Sequence, residues 1–215
     1  MQDQTHTFTK REEFANALTH GIGAMLSVAA LVVMIVFASM NASSLHVVSV
    51  SIFGTSMLLS YVCSTLLHSF PAGKLKDLFE VFDHSAIYIF IAGTYTPFLF
   101  HALEGILSWT LFGIVWGIAF VGILFKAFFS KRFRILSTLF YIGMGWIIII
   151  AWPALVSALP PGGLVLLVTG GILYTAGTVF YMWRSFPFHH AVWHFFVLAG
   201  STAHFAAVFF YIIPL

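Results

Sequence analysis

The chain has 215 residues, 60% of them hydrophobic and only 7% charged, with a mean hydropathy of +1.01. That composition lies far outside the range of soluble globular domains and reads as an all-α integral membrane protein with no credible soluble form. A net charge of +2 gives no footing for nucleic acid.

The first 14 residues, MQDQTHTFTKREEF, are polar and hold acidic groups, and no small-residue cleavage site follows a short apolar core. They are expected to be a short cytoplasmic segment (1–14), not a removable signal peptide. Stretches of about 20 mainly apolar residues, each enough to cross a bilayer, then recur. They predict seven spans at 17–39, 46–69, 84–103, 106–125, 135–156, 163–183 and 191–213. The connections (NASSL, PAGKLKDLFEVFD, SKRFR, SALPPGG) are short, so residues 1–215 are expected to form a single seven-helix transmembrane domain in the plasma membrane. Pro97 is expected to bend the third span. Trp109, Trp152 and Tyr211 read as interfacial anchors. Gly113-x-x-x-Gly117 and Gly171-x-x-x-Thr175 read as close packing between helices of one chain. The lone Cys63 excludes an intrachain disulfide or multi-cysteine metal site and reads as a small buried apolar residue.

Cytoplasmic loops retain Lys and Arg. Lys10 and Arg11 precede span 1, Lys74 and Lys76 lie between spans 2 and 3, Lys126, Lys131, Arg132 and Arg134 flank the turn between spans 4 and 5, and Arg184 lies between spans 6 and 7. All nine basic residues fall on one side, which predicts a cytoplasmic N-terminus and a C-terminus outside. The opposite connections hold only Glu104, His46 and His101, read as ordinary loop residues.

Ionisable residues within spans are rare and costly, and here they cluster. Glu13, Asn16 and His20 are spaced i, i+3, i+7 on one face of span 1. Ser64 and His68 are i, i+4 at the end of span 2, Asp83 and His84 open span 3, and His190 and His194 are i, i+4 at the start of span 7. With the predicted topology, all four groups lie at cytoplasmic helix ends. Two histidines one turn apart, about 6 Å along the axis, can share one divalent ion. His68 from a facing helix would complete a three-histidine set, the arrangement of a catalytic zinc with an open position for water. Asp83 could orient or deprotonate that water, and Ser64 could hydrogen-bond to it or steady a ligand.

Blander roles fit the same residues one at a time. A lone histidine at an interface is often simply hydrated, the reading given to His84 and His189. His204, nearly four turns deeper, reads as a packing residue. Asp83 could cap span 3, and Glu13, Asn16 and His20 could form an interhelical hydrogen-bond network.

Three stretches carry a resemblance: Glu13-x-x-Asn16-x-x-Thr19-His20 in span 1, STLLHSFPAGKLKDLFEVFDHSAIYIFIAGTYTPF across spans 2 and 3, and HAVWHFFVLAGS in span 7. In this order they resemble the hemolysin III branch of the progestin and adipoQ receptor (PAQR) superfamily over essentially the whole chain. The resemblance implies a seven-helix fold with its N-terminus inside and one zinc near the cytoplasmic face, held by His68, His190 and His194. Asp83 and Ser64 match the acidic and hydroxyl positions associated with the metal and its water. A wider group that includes alkaline ceramidases shares the pattern of one serine, one aspartate and three histidines. This implies metal-dependent hydrolysis of lipid-like amides or esters, with membrane lipids as partners.

The branch also carries an association with membrane-fluidity homeostasis and a name for haemolysis. Three functions therefore compete: a zinc-dependent membrane hydrolase, a receptor-like or regulatory protein with structural zinc, and a membrane-perturbing cytolysin. The last fits poorly, because the spans are apolar around most of their circumference.

Overall fold

The computed structural model describes residues 8–129 and 132–215. Residues 1–7 of the expected cytoplasmic segment, and Lys131 of the basic turn, lie outside the described residues. The elements are helical throughout, with no strand among the described residues: α1 (Lys10–Asn41), α2 (Ser44–Ser69), α3 (Lys74–His101), α4 (Gly105–Phe129), α5 (Arg134–Trp146), α6 (Trp152–Ala158), α7 (Pro161–Met182) and α8 (His189–Ala207). A 3₁₀ segment, Ile147–Ala151, joins α5 to α6, and a π-helical segment, Val208–Ile212, extends α8.

Six stretches are long and apolar enough to cross a membrane: Lys10–Asn41, Ser44–Ser69, Gly105–Phe129, Arg134–Ala158, Pro161–Met182 and His189–Ile212. Helix α3 is less apolar, and the reason is its position. It packs against both α2 and α4 and buries nearly every residue from Ala92 to Leu99. A helix shielded from lipid by its neighbours can carry the polar Thr94, Tyr95 and Thr96 that a lipid-facing helix could not.

Helix α3 also corrects the expected second connection. Only Phe70, Pro71, Ala72 and Gly73 link α2 to α3, and KLKDLFEVFD forms the first turns of the helix. Leu75, Leu78, Phe79 and Phe82 fall at i, i+3, i+4, i+7, the pattern of an amphipathic helix. Gly73 sits at φ 153°, a conformation open to glycine, and so lets the chain turn directly into α3. Asp83 consequently lies well inside the helix, which excludes the capping role. His46 and His101 are likewise helical, not loop residues: they stack with ring centroids 3.5 Å apart where α2 begins and α3 ends.

The fifth span is broken where the sequence reads IIIIAWP. Pro153 cannot donate to the helical ladder, so α6 restarts with it in its first turn. Tyr95 satisfies the interrupted backbone from α3: its hydroxyl lies 2.8 Å from the carbonyls of Met144 and Gly145 and accepts the Ile148 N–H at 3.0 Å. Helix α3 itself continues through Pro97. Gly171 and Thr175 meet Trp146, whose indole N–H donates to the Thr175 hydroxyl at 2.9 Å. By contrast, Gly113 and Gly117 face open space, so this pair makes no close helix contact within the described chain. Between α2 and α3 the backbones approach so closely that a Cβ on Gly93 would collide with Ser56.

Candidate metal centre

The start of α1 anchors the site. Thr9 and Glu12 form a capping box: the Thr9 N–H donates to Glu12 Oε2 at 2.8 Å, and the Glu12 N–H donates to Thr9 Oγ1 at 3.3 Å. The second oxygen of Glu12 accepts the N–H of Phe188 at 3.1 Å. Phe188 is left-handed (φ 60°) and immediately precedes α8, so this contact fixes where α8 begins beside α1.

From that start α8 projects His190 and His194 on successive turns, facing His68 from the last turn of α2. The ring centroids of His190 and His194 are 4.6 Å apart, those of His68 and His190 5.0 Å, and those of His68 and His194 5.3 Å. One nitrogen from each of the three lies within 4.8 Å of the other two, a spacing that can hold a metal ion.

Hydrogen bonding assigns tautomers to two of the rings. Nδ1 of His68 is 2.6 Å from Glu13 Oε2, and Glu13 Oε1 accepts from the Lys76 ammonium at 2.8 Å. A carboxylate held by a lysine only accepts, so the His68 proton is on Nδ1 and the lone pair is on Nε2. That Nε2 is buried and has no hydrogen-bond partner among the described residues. Nδ1 of His194 lies 3.2 Å from the carbonyl of Asn16 and 3.0 Å from the Thr19 hydroxyl. A carbonyl also only accepts, so Nδ1 is again the protonated nitrogen. Both rings thus present an unprotonated Nε2, the form in which imidazole ligates a metal, with the other nitrogen oriented by a carboxylate or carbonyl. The residues present therefore fit a metal ion.

The remaining candidates lie around this trio. His20 stacks face to face on His194, with centroids 3.4 Å apart and rings 13° from parallel. Its Nδ1 is 2.6 Å from Ser64 Oγ, and the Asp83 carboxylate meets that same hydroxyl. Asp83 and Ser64 are thus linked to the trio through His20. Asn16 contributes its carbonyl, while its buried side-chain amide has no hydrogen-bond partner among the described residues. The rings of His84 and His189 each bond to a backbone carbonyl. Nδ1 of His84 donates to the Glu80 carbonyl at 2.8 Å, and His189, 1% exposed, donates to the Phe180 carbonyl at 3.1 Å. His204 lies 3.0 Å from the Leu167 carbonyl, as expected of a packing residue.

The trio faces a cavity of about 1080 Å³ lined by charged residues at the Lys76, Glu80 and Asp83 level and by Phe90, Tyr95, Trp146 and Tyr174 beyond.

The family described as "Haemolysin-III related" matches residues 8–205. The chain belongs to the haemolysin-III-related family. It is 57% identical over 204 residues to the "Hemolysin-3 homolog" of Bacillus subtilis (strain 168), covering 95% of this chain and 96% of that protein. It is 52% identical over 204 residues to the "Hemolysin-3" of Bacillus cereus, covering 95% and 93%. A more distant likeness, 29% over 209 residues covering 94% and 84%, links it to the human "Monocyte to macrophage differentiation factor". With its six apolar helices, this haemolysin-III-related chain is a multi-pass protein of the plasma membrane.

Three site residues of this haemolysin-III-related chain have no role in the sequence reading beyond topology. Glu12 ties α8 to α1, and its signal was present as Thr9-x-x-Glu12, a capping-box spacing. Lys76 bridges Glu13 to the α2 terminus, donating to the carbonyls of Leu67 at 2.9 Å and Phe70 at 3.2 Å. Lys126, counted only as a loop flank, is 1% exposed and lines the cavity. No local pattern distinguishes it from a solvated lysine at a helix end.

Proposed function

We propose that His68, His190 and His194 hold a zinc ion, and that the chain is a metal-dependent hydrolase of lipid-like amides or esters contributing to membrane lipid homeostasis. The observation that carries this reading is the buried, unpartnered Nε2 of His68. Its proton is held on Nδ1 by Glu13, and it faces two further imidazoles at the wall of a large amphipathic cavity. A buried lone pair without a partner is costly unless something occupies it.

The supporting topology is seven spans with α3 as the third, the N-terminus cytoplasmic and the C-terminus outside. At 28 residues α3 measures about 42 Å, longer than the hydrocarbon core. Its short links to α2 and α4 make it antiparallel to both.

When bound, zinc supplies Lewis acidity to a carbonyl oxygen and acidifies water. The chain's own residues supply the rest. The apolar wall takes up a lipid chain and excludes water from it. Asp83, at the cavity wall, accepts the proton of the attacking water. Asp83 and His20 meet at the Ser64 hydroxyl, and His20 stacks on the ring of His194, which keeps carboxylate and ligand in register. Glu13 and the Asn16 carbonyl hold the two rings in the ligating tautomer.

The name of the Bacillus cereus relative carries a lytic function, but the exposed faces of the described spans are largely apolar, which does not suit a pore lining. The test is hydrolysis of a panel of lipid amides and esters by purified protein, with metal content measured in parallel. Wild type should hold zinc and cleave a member of the panel, and His68→Ala and His194→Ala should lose both. Stoichiometric zinc with no cleavage would favour a structural metal in a regulatory protein.

A further inference from the structure

Lys126 stands apart from the other charges of the cavity. It lies in the last turn of α4, is 1% exposed, and lines the cavity wall. Its ammonium forms no hydrogen bond or ion pair among the described residues, although Glu80 and Asp83 are near enough for their charge to act on it. Lys76, by contrast, is held by Glu13 and two carbonyls. A lysine buried at a membrane helix end without a close partner is expensive, and such residues mark ligand sites.

Beyond Asp83 the cavity follows α3 to Tyr95, 12 residues or about 18 Å deeper. That depth compares with about 15 Å for one leaflet of a 30 Å hydrocarbon core. The volume of about 1080 Å³ lies just above the range of about 300–1,000 Å³ typical of small-molecule sites. One acyl chain, with its head group at the level of Asp83 and Lys126, spans that depth and fits within that volume.

We infer that the cavity binds a single-chain amphiphile with an anionic head group, a phosphate or carboxylate, and that Lys126 is the residue that recognises the anion. Arg134 and Arg184 line the same cavity, and with Lys10, Lys76 and Lys126 the lining cations outnumber its four carboxylates by one. The inference names the ligand class of the lipid-acting site and rests on that reading for its location, but not on turnover.

The test is equilibrium binding to the full chain in detergent, followed by quenching of the cavity tryptophans Trp146 and Trp193. The probes are oleoyl lysophosphatidate, neutral monoolein and inorganic phosphate alone. The lysophosphatidate should bind wild type at least tenfold more tightly than monoolein. Lys126→Met should erase that difference while leaving monoolein within twofold, and Lys126→Arg should restore most of it. Equal binding of the two amphiphiles by wild type would overturn the inference, and so would a Lys126→Met variant that keeps the discrimination. Phosphate alone binding as tightly as the lysophosphatidate would overturn the amphiphile assignment. Should Lys126→Met not fold, the wild-type discrimination decides. Zinc content and cleavage are measured on the same samples. Their absence with selectivity intact would overturn the hydrolase reading alone, and their presence without selectivity would overturn this inference alone.

Discussion

Replacing Glu13 probes the metal site without touching a ligand. In wild type its carboxylate receives the His68 Nδ1 proton at 2.6 Å and pairs with Lys76 at 2.8 Å, with the Glu13 side chain 21% exposed and that of His68 3%. Removing a partner that orients a metal-bound histidine typically costs 10- to 100-fold in affinity, about 1.4–2.8 kcal/mol at 1.4 kcal/mol per decade. Glu13→Gln keeps an oxygen that can accept from Nδ1 but removes the charge, so it should fall near the tenfold end. Glu13→Ala removes both and should approach 100-fold. Lys76 keeps its two carbonyl partners in either variant, which limits collateral damage to the α2–α3 turn. The assay is zinc competition against a chromophoric chelator with purified protein in detergent. Affinities within twofold of wild type for both variants would refute the assignment of Glu13 as the group that orients His68.

Further outcomes follow from the same geometry. His194→Ala should abolish stoichiometric zinc and remove the stabilisation that added zinc gives wild type, read as a zinc-dependent shift in thermal midpoint. A midpoint that still rises with zinc would place the metal elsewhere. Glu12→Ala removes both the capping box and the Phe188 contact. One element of a helix cap is worth about 0.3–1.5 kcal/mol, so the variant should unfold at lower temperature and bind zinc more weakly, whereas a purely local cap would change only stability. Gly93→Val should destabilise by about 1–3 kcal/mol through overpacking against Ser56 and the Ile52 carbonyl, and an unchanged midpoint would mean that α2 and α3 can separate freely there. Zinc affinity should fall on acidification, because a protonated imidazole cannot ligate. Affinity that stays constant down to the pH at which the protein unfolds would argue against histidine ligands.

The membrane class and most helix positions were legible because lipid-facing helices must be apolar over about 20 residues. Helix α3 was harder to delimit for the same reason: shielded by its neighbours, it relaxes that rule, and its amphipathic first turns resemble a polar loop. Single-residue spacing brought out His190 and His194 as a pair, and the topology brought His68 to the same end of the bundle. What spacing could not show was the order of contacts around them. The path from Asp83 through Ser64 and His20 to His194, the use of the Asn16 carbonyl instead of its side chain, and the burial of Lys126 all depend on how four helices rotate about their axes. The Gly113-x-x-x-Gly117 pair illustrates the converse. Its spacing suggests a contact, but rotation of α4 turns it outward.

X-ray absorption at the zinc K-edge of the purified, zinc-loaded protein tests the metal centre most directly. The account predicts one zinc per chain with three imidazole nitrogens at about 2.0–2.1 Å and one non-protein oxygen in the fourth position, a signal lost in His68→Ala. A shell closed by a fourth protein ligand would contradict the hydrolytic reading, and a spectrum unchanged in His68→Ala would contradict the site itself.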